Sequence, residues 1–137
     1  ERRLLLSLPV VPDSAVTEAD ARSADLVLFG ARATNSVIAR LADHLPLELN
    51  PSAADYGLVF IAPHAGRYLL VNSGLPWWTG AAPAFSTPAQ VLQTFSDYVL
   101  FKGSLSKILV QGCFDANWRV PVGDVEKLKA TGVVKIR

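Results

Sequence analysis

Residues 25–42 read DLVLFGARATNSVIARLA, and this stretch decides the fold class. Its first part, residues 25–29, is nearly continuous in apolar character and closes at Gly30. Such a run is typical of a central strand that is covered on both faces. After the glycine, apolar residues recur at the spacing of one helix face. These residues are Val37, Ile38, Leu41 and Leu45. A strand, a tight turn and a helix in succession form the unit of an α/β sheet.

Signals at the ends of the segments support this pattern. Thr34, Asn35 or Ser36 can cap the helix, and Pro46 ends it. Upstream, Thr17 is followed three residues later by an acid, an N-cap signature for a short helix ending near residue 23.

The sequence predicts a β-hairpin in the middle of the chain. Apolar runs at 57–62 and 67–72 flank the turn sequence PHAG at 63–66. The remaining predicted elements are a helix starting at Thr87 and Pro88, strands at 98–101 and 108–114, a helix at 122–130 stopped by Gly132, and a strand at 133–136. We therefore expect one α/β domain over residues 1–137, a three-layer Rossmann/flavodoxin-like fold with a mixed, mostly parallel sheet and one β-hairpin.

Composition excludes several classes of protein. Half of the residues are hydrophobic and the mean hydropathy is +0.29, which excludes a disordered tail. The net charge of +1 gives no reason to expect nucleic acid or an anionic membrane as partner. A single cysteine excludes an internal disulfide framework and a multi-cysteine metal site.

The beginning of the chain indicates a piece of a longer protein. Glu1 is not a start methionine, and the chain contains no Met. The apolar run that follows breaks at Ser7 and Pro9, so it is too short for a membrane span. We expect a fragment or processed part of a longer protein that opens with a strand-like segment.

Common catalytic signatures are missing from the sequence. It contains no G-x-S-x-G, no P-loop, no G-x-G-x-x-G and no H-E-x-x-H. We therefore predict no catalytic residue and no cofactor. His44 and His64, without paired carboxylates, predict no metal site. Cys113 lies in an apolar run, and we expect it to pack in the core.

The turn after the first strand is the strongest candidate ligand site. Helix N-termini that follow a strand bind anions in open α/β sheets, because backbone N–H groups and the helix dipole favour negative charge there. The candidate ligand-binding residues are Gly30, Arg32, Thr34, Asn35 and Ser36. The alternative is structural: Gly30 makes the turn and the polar side chains cap the helix.

The tryptophans are candidate interface residues. Trp77 and Trp78 are adjacent in a loop and cannot both point into the same core, so we expect one of them to be exposed. Trp118 ends the segment DANW at 115–118, which forms either a turn that satisfies its own polar groups or a docking edge. The alternative for the Trp77–Trp78 loop is that it covers the edge of the core.

Taken together, the segments at 16–20, 25–30, 34–42, 68–74, 97–101 and 112–118 resemble a C-terminal Rossmann-like accessory region of bacterial prolyl-oligopeptidase-like α/β-hydrolase proteins. The resemblance covers residues 10–119 and carries over no catalytic residue. The loop at 63–66 is shorter than that pattern, and the strand and helix expected upstream are absent before Glu1. It implies an accessory role beside a hydrolase domain and an exported, extracytoplasmic location.

We therefore expect a non-catalytic accessory or interaction domain associated with a bacterial exported hydrolase of peptidase or esterase type. Its expected partner is a hydrolase domain of the same or another chain. Two alternatives stay open: a small-molecule anion-binding domain that uses the Gly30–Ser36 turn, and a self-assembling subunit joined through edge strands or the tryptophan loop.

Overall fold

The structure, a computed structural model, describes residues 8–80 and 88–137. Within these ranges the helices are α1 (Glu18–Ser23), α2 (Ser36–Leu41), α3 (Pro88–Leu92) and α4 (Val122–Thr131). The strands are β1 (Leu26–Phe29), β2 (Leu47–Leu49), β3 (Tyr56–His64), β4 (Arg67–Gly74), β5 (Tyr98–Lys102), β6 (Ser104–Gly112) and β7 (Val134–Ile136). Short 3₁₀ turns lie at Asp13–Ala15 and Ala42–His44. The expected opening strand and the Thr87 cap fall outside the described residues.

The main sheet has the strand order β1–β4–β3–β5–β6. The α/β class and the mixed sheet are confirmed, but the prediction of a mostly parallel sheet is wrong. Among these described strands, β1 and β4 run parallel and the other three adjacent pairs are antiparallel. The reason is that tight turns join β3 to β4 and β5 to β6, and such connections produce antiparallel neighbours. The Rossmann/flavodoxin-like topology is not confirmed.

Among the described strands, β1 lies at an edge of the main sheet and not at the central position that the sequence predicts. It bonds to β4 on one side. Val27 and Phe29, which share one face, are 51% and 45% exposed. The apolar run therefore arises from a buried face and an exposed apolar face, and not from burial on both sides.

The predicted hairpin is confirmed, and its strands are longer than expected. Ala65 and Gly66 both have positive φ values, 49° and 78°. Two consecutive positive values are the mark of a type I′ turn, whose twist matches that of paired strands. The register runs from His64 opposite Arg67 to Gly57 opposite Gly74.

A second hairpin joins β5 to β6 at Gly103, which has a φ of 74°. Strand β6 begins four residues before the predicted start because this turn brings Ser104 back opposite Lys102. The pairing register shifts on both sides of Phe101, so β6 is bulged. A bulged edge twists away from further pairing.

The two faces of the sheet are covered by different elements. On one face, α2, α4 and a small antiparallel sheet of β2 and β7 enclose the larger core, in which Leu47 and Leu128 are fully buried. Tyr98 ties α4 to the sheet, since its hydroxyl donates to Asp124 at 2.5 Å. On the other face, Val59, Val99 and Phe101 pack with Trp77 and with partly buried residues of the α3 region.

The predicted ends of α1 and α4 are confirmed, whereas α2 ends at Leu41 and continues as a 3₁₀ turn, before the predicted end at Pro46. Thr17 and Asp20 form a reciprocal capping box at α1. Gly132, with a φ of 71°, ends α4. Cys113, however, is exposed, so the prediction that it packs in the core is wrong. It follows the last residue of β6, where the chain leaves the sheet. Within residues 8–80 and 88–137, no helix has the length and apolar character needed to cross a membrane.

Candidate functional site: an aromatic patch beside an edge strand

A buried asparagine positions the tryptophan loop on the sheet. Asn72 of β4 is 2% exposed and directly follows the apolar residues 69–71. Its Oδ1 accepts the backbone N–H of Trp77 at 3.0 Å, and its Nδ2 donates to the carbonyl of Leu75 at 3.0 Å. Both the oxygen and the nitrogen of the amide therefore bond to the backbone after β4. These two hydrogen bonds hold that backbone against the sheet.

The two adjacent tryptophans have different environments, as predicted. Trp77 is 8% exposed and its ring stacks on Phe29 at 5.3 Å. Trp78 is 42% exposed and meets both Trp77 and Phe29 edge-on, at 4.9 and 5.7 Å. Such offset and edge-to-face contacts are favourable for aromatic rings. With Val27, these residues form a surface that we call the aromatic patch: Val27, Phe29, Trp77 and Trp78.

Trp118 belongs to a separate cluster. Its ring lies 5.9 Å from Tyr68 and 5.9 Å from Phe114. The turn before it satisfies its own polar groups, since Asp115 Oδ1 accepts the backbone N–H groups of Asn117 and Arg119. The three predicted interface tryptophans therefore do not form one surface. Their role in an interface stays a prediction.

The turn at Gly30 brings its predicted site residues together. Gly30 has a φ of 123°, and a Cβ there would lie 2.8 Å from Thr34 Oγ1. Its N–H donates to the Asn72 carbonyl at 3.0 Å, and its carbonyl accepts from Ser73 Oγ at 2.7 Å. This backbone conformation explains why glycine is needed at the turn.

Side chains of the chain itself occupy the N-terminus of α2. Asn35 Oδ1 accepts the N–H groups of Val37 and Ile38 at 3.0 Å each. The Ser36 N–H donates to Asp13 at 2.6 Å, and this bond lowers the pKa of the Asp13 carboxyl. The observed arrangement is helix capping, the structural alternative. An anion-binding role for these residues stays a prediction.

Arg32 is held by acidic side chains and does not stand free. Its guanidinium contacts Glu48 at 2.9 and 3.2 Å and Asp43 at 2.8 Å. Arg137, the residue after β7, also donates a hydrogen bond to Glu48. Hydrogen bonds to the two arginines lower the pKa of Glu48 from 4.5 to about 2. We call this set the charged clamp: Arg32, Asp43, Glu48 and Arg137. It joins the turn after β1, the 3₁₀ turn after α2 and the small sheet.

The two histidines lie apart from these clusters. His44 is exposed in the 3₁₀ turn after α2. His64 ends β3, with Nε2 3.9 Å from a Glu18 carboxylate oxygen. In the described ranges, no group of three or more His, Cys, Asp or Glu side chains is placed to hold a metal ion.

Sequence reasoning missed two residues of the patch and the buried asparagine that positions its tryptophan loop. The apolar run at 25–29 predicts a strand covered on both faces, whereas Val27 and Phe29 are exposed. The predicted second strand of the hairpin ends at Asn72, and the prediction gives that side chain no role. The signal for Asn72 was present, because an amide directly after three apolar residues in a predicted buried strand needs partners for both its oxygen and its nitrogen.

Comparison with known proteins adds no identification to this geometry. The chain matches no protein-family model, no curated protein and no solved structure. The resemblance to the accessory region of prolyl-oligopeptidase-like hydrolases thus stays a prediction.

Proposed function

We propose that this domain is an interaction module and that the aromatic patch contacts a partner polypeptide. The observation that carries the proposal is the contiguous exposure of Val27, Phe29 and Trp78 on one side of β1. Single exposed apolar residues are common, whereas the largest contiguous apolar patch on a domain is often functional. Tryptophan is enriched among the residues that dominate binding energy.

The support beneath the patch favours binding as well. Trp77 is fixed through its backbone by Asn72 and through its ring by Phe29. Trp78 therefore stands on a rigid base. A surface that is ordered before binding loses less conformational entropy when a partner docks.

The partner we propose is a hydrolase domain of an exported bacterial protein, in the same or another chain. This part rests on the resemblance of segments such as 25–30 and 112–118 to accessory regions of that class. It assigns the chain an accessory role and places the chemistry in the partner.

Site-specific photo-cross-linking in the cells that produce the protein tests the proposal. A photoreactive phenylalanine analogue is placed at position 78 in one variant and at position 122 in a matched control. Val122 is 83% exposed and belongs to α4, away from the patch. We expect one dominant cross-linked polypeptide from position 78 and none from position 122.

Two outcomes are decisive. Equal cross-linking at both positions, or none at position 78, contradicts an interaction role for the patch. If a partner is captured, a fluorophosphonate probe then tests its class, because that reagent labels the active serine of hydrolases. If the captured partner is not labelled, the interaction role of the patch stands, and the proposal that the partner is a hydrolase is refuted.

A further inference from the structure

The outer edge of β1 has backbone groups directed away from the sheet. In a parallel ladder, alternate residues bond to the same neighbour. Gly30 donates to Asn72 of β4, so Leu28 also faces β4, while Val27 and Phe29 face outward. The Phe29 carbonyl accepts from Asn35 Nδ2 at 3.1 Å, in agreement with this geometry. At this outer edge, the backbone N–H and carbonyl of Val27 and the backbone N–H of Phe29 form no hydrogen bond with any described residue.

The two edges of the main sheet differ in how they are protected. The edge strand β6 is bulged and carries Lys107, and both features discourage pairing with another strand. The edge strand β1 has the sequence LVLF, without a lysine, a proline or a bulge. Its residues also favour extended structure. Of these two edges, β1 is the one suited to receive a further strand.

The size of the aromatic patch selects the kind of occupant. From the areas typical of such side chains, the exposed parts of Val27, Phe29 and Trp78 sum to roughly 300 Å². A stable pair of folded domains buries about 800 Å² on each partner. The patch alone is therefore too small for a second copy of this domain. It is large enough for one or two side chains of an extended segment, whose main chain adds hydrogen bonds.

We infer that the β1 edge binds an extended apolar segment of the partner as an added strand. Main-chain bonds form with Val27 and Phe29, and alternate apolar side chains of the segment rest on Phe29 and Trp78. This is recognition by strand addition, in which backbone bonds give affinity and side-chain contacts give specificity. The inference rests on the proposed function and names the form in which the partner is bound.

Selection from a random peptide library displayed on phage, with this domain as bait, supplies probes. We expect selected peptides to alternate apolar and polar residues over at least three positions. In NMR spectra, their binding shifts and protects the amides of Val27 and Phe29. Failure to enrich peptides, or selected peptides that leave both amides unchanged, overturns the inference.

Two substitutions at one position separate the backbone from the side chain. Val27→Pro removes the outward N–H, and an edge strand tolerates proline where its N–H faces away from the sheet. Val27→Thr keeps the backbone N–H and replaces the side chain by one of similar shape. We expect Val27→Pro to weaken binding of the selected peptides about tenfold and Val27→Thr less than about threefold. Equal affinities for the two variants contradict strand addition.

The remaining outcomes keep the two proposals distinct. If Val27→Pro fails to fold, the amide measurements on the unsubstituted protein still decide the question. If the domain pairs with itself through β1, light scattering shows a dimer, and the segment is replaced by a second copy. A partner cross-linked at position 78 together with silent β1 amides would retain the proposed function and reject the added strand.

Discussion

The Asn72 side chain fixes the backbone of Trp77: its Oδ1 accepts the backbone N–H of Trp77 at 3.0 Å, and this hydrogen bond is buried. We expect Asn72→Ala to lower the free energy of unfolding by about 1–3 kcal/mol, because the buried Trp77 N–H and the part-buried Leu75 carbonyl lose their partner. The loop is then released from Phe29, so tryptophan fluorescence shifts to the red. Urea denaturation followed by fluorescence measures both effects.

The control for this prediction is Asn117→Ala, at an exposed position in the turn before Trp118. We expect it to change stability by less than about 0.5 kcal/mol. Equal stability of the two variants would show that the Asn72 bonds do not organise the loop.

The cap of α2 gives a second prediction. Asn35→Ala removes two bonds to helix N–H groups and one to the Phe29 carbonyl, and we expect a loss of about 1–2 kcal/mol. Asn35→Asp keeps an oxygen that accepts the two helix N–H groups but loses the N–H that donates to the Phe29 carbonyl. We therefore expect its stability to lie between those of the unsubstituted protein and Asn35→Ala. If denaturation curves show that Asn35→Asp is less stable than Asn35→Ala, the capping role of Asn35 is refuted.

The stability that the charged clamp contributes depends on pH, because Glu48 must be ionised to bond its two arginines. Its pKa is lowered to about 2 in the folded protein, against 4.5 ordinarily. The stability supplied by its ionised form is therefore complete above pH 4.5 and is lost as the pH falls towards 2. We expect Glu48→Gln to cost about 2 kcal/mol at pH 7 and almost nothing near pH 2.

Urea denaturation at a series of pH values measures this difference. The matched control is Glu126→Gln, since the Glu126 side chain is 76% exposed and lies 4.0 Å from Lys129. A constant cost of Glu48→Gln from pH 7 to pH 2 would disprove the ionic role of the clamp.

Tyr98 gives a prediction at the alkaline end. Burial, together with its bond to Asp124, raises the pKa of the Tyr98 hydroxyl above its ordinary value of 10. The resulting stability is complete below pH 10 and is lost as the pH rises further. We expect Tyr98→Phe to cost about 1 kcal/mol at pH 7 and to flatten the fall in stability above pH 10.

Thermal unfolding from pH 8 to pH 11.5 checks this, with Tyr68→Phe as control because Tyr68 is 53% exposed. If Tyr68→Phe flattens the alkaline fall as strongly as Tyr98→Phe, the effect does not come from the bond to Asp124.

Local sequence signals predicted the local structure well. The turn at residues 63–66, the Thr17 cap and the Gly132 stop each depend on a few neighbouring residues, and each is observed. Their energies come from backbone conformation and short-range hydrogen bonds, which a sequence displays directly.

Long-range pairing was harder to predict. The apolar run at β1 has the composition of a strand covered on both faces. Among the described strands, however, β1 pairs only with β4, and its exposed face belongs to the aromatic patch. Strand β2 has three residues and is paired with β7 at the far end of the chain. Hydrophobic periodicity does not specify which strands become neighbours, so neither the edge nor the small sheet was predicted.

The small sheet has a consequence for the order of folding. The β3–β4 hairpin closes through a two-residue turn, whereas Glu48 and Arg137 meet across 89 positions of the chain. Closing a long loop costs entropy before its contacts contribute, so distant pairings form late. We expect pulse-labelled hydrogen exchange during refolding to protect β3 and β4 before β2 and β7. The contact of Arg137 with Glu48 then forms late, and it fastens the end of the chain to a main sheet that is already in place.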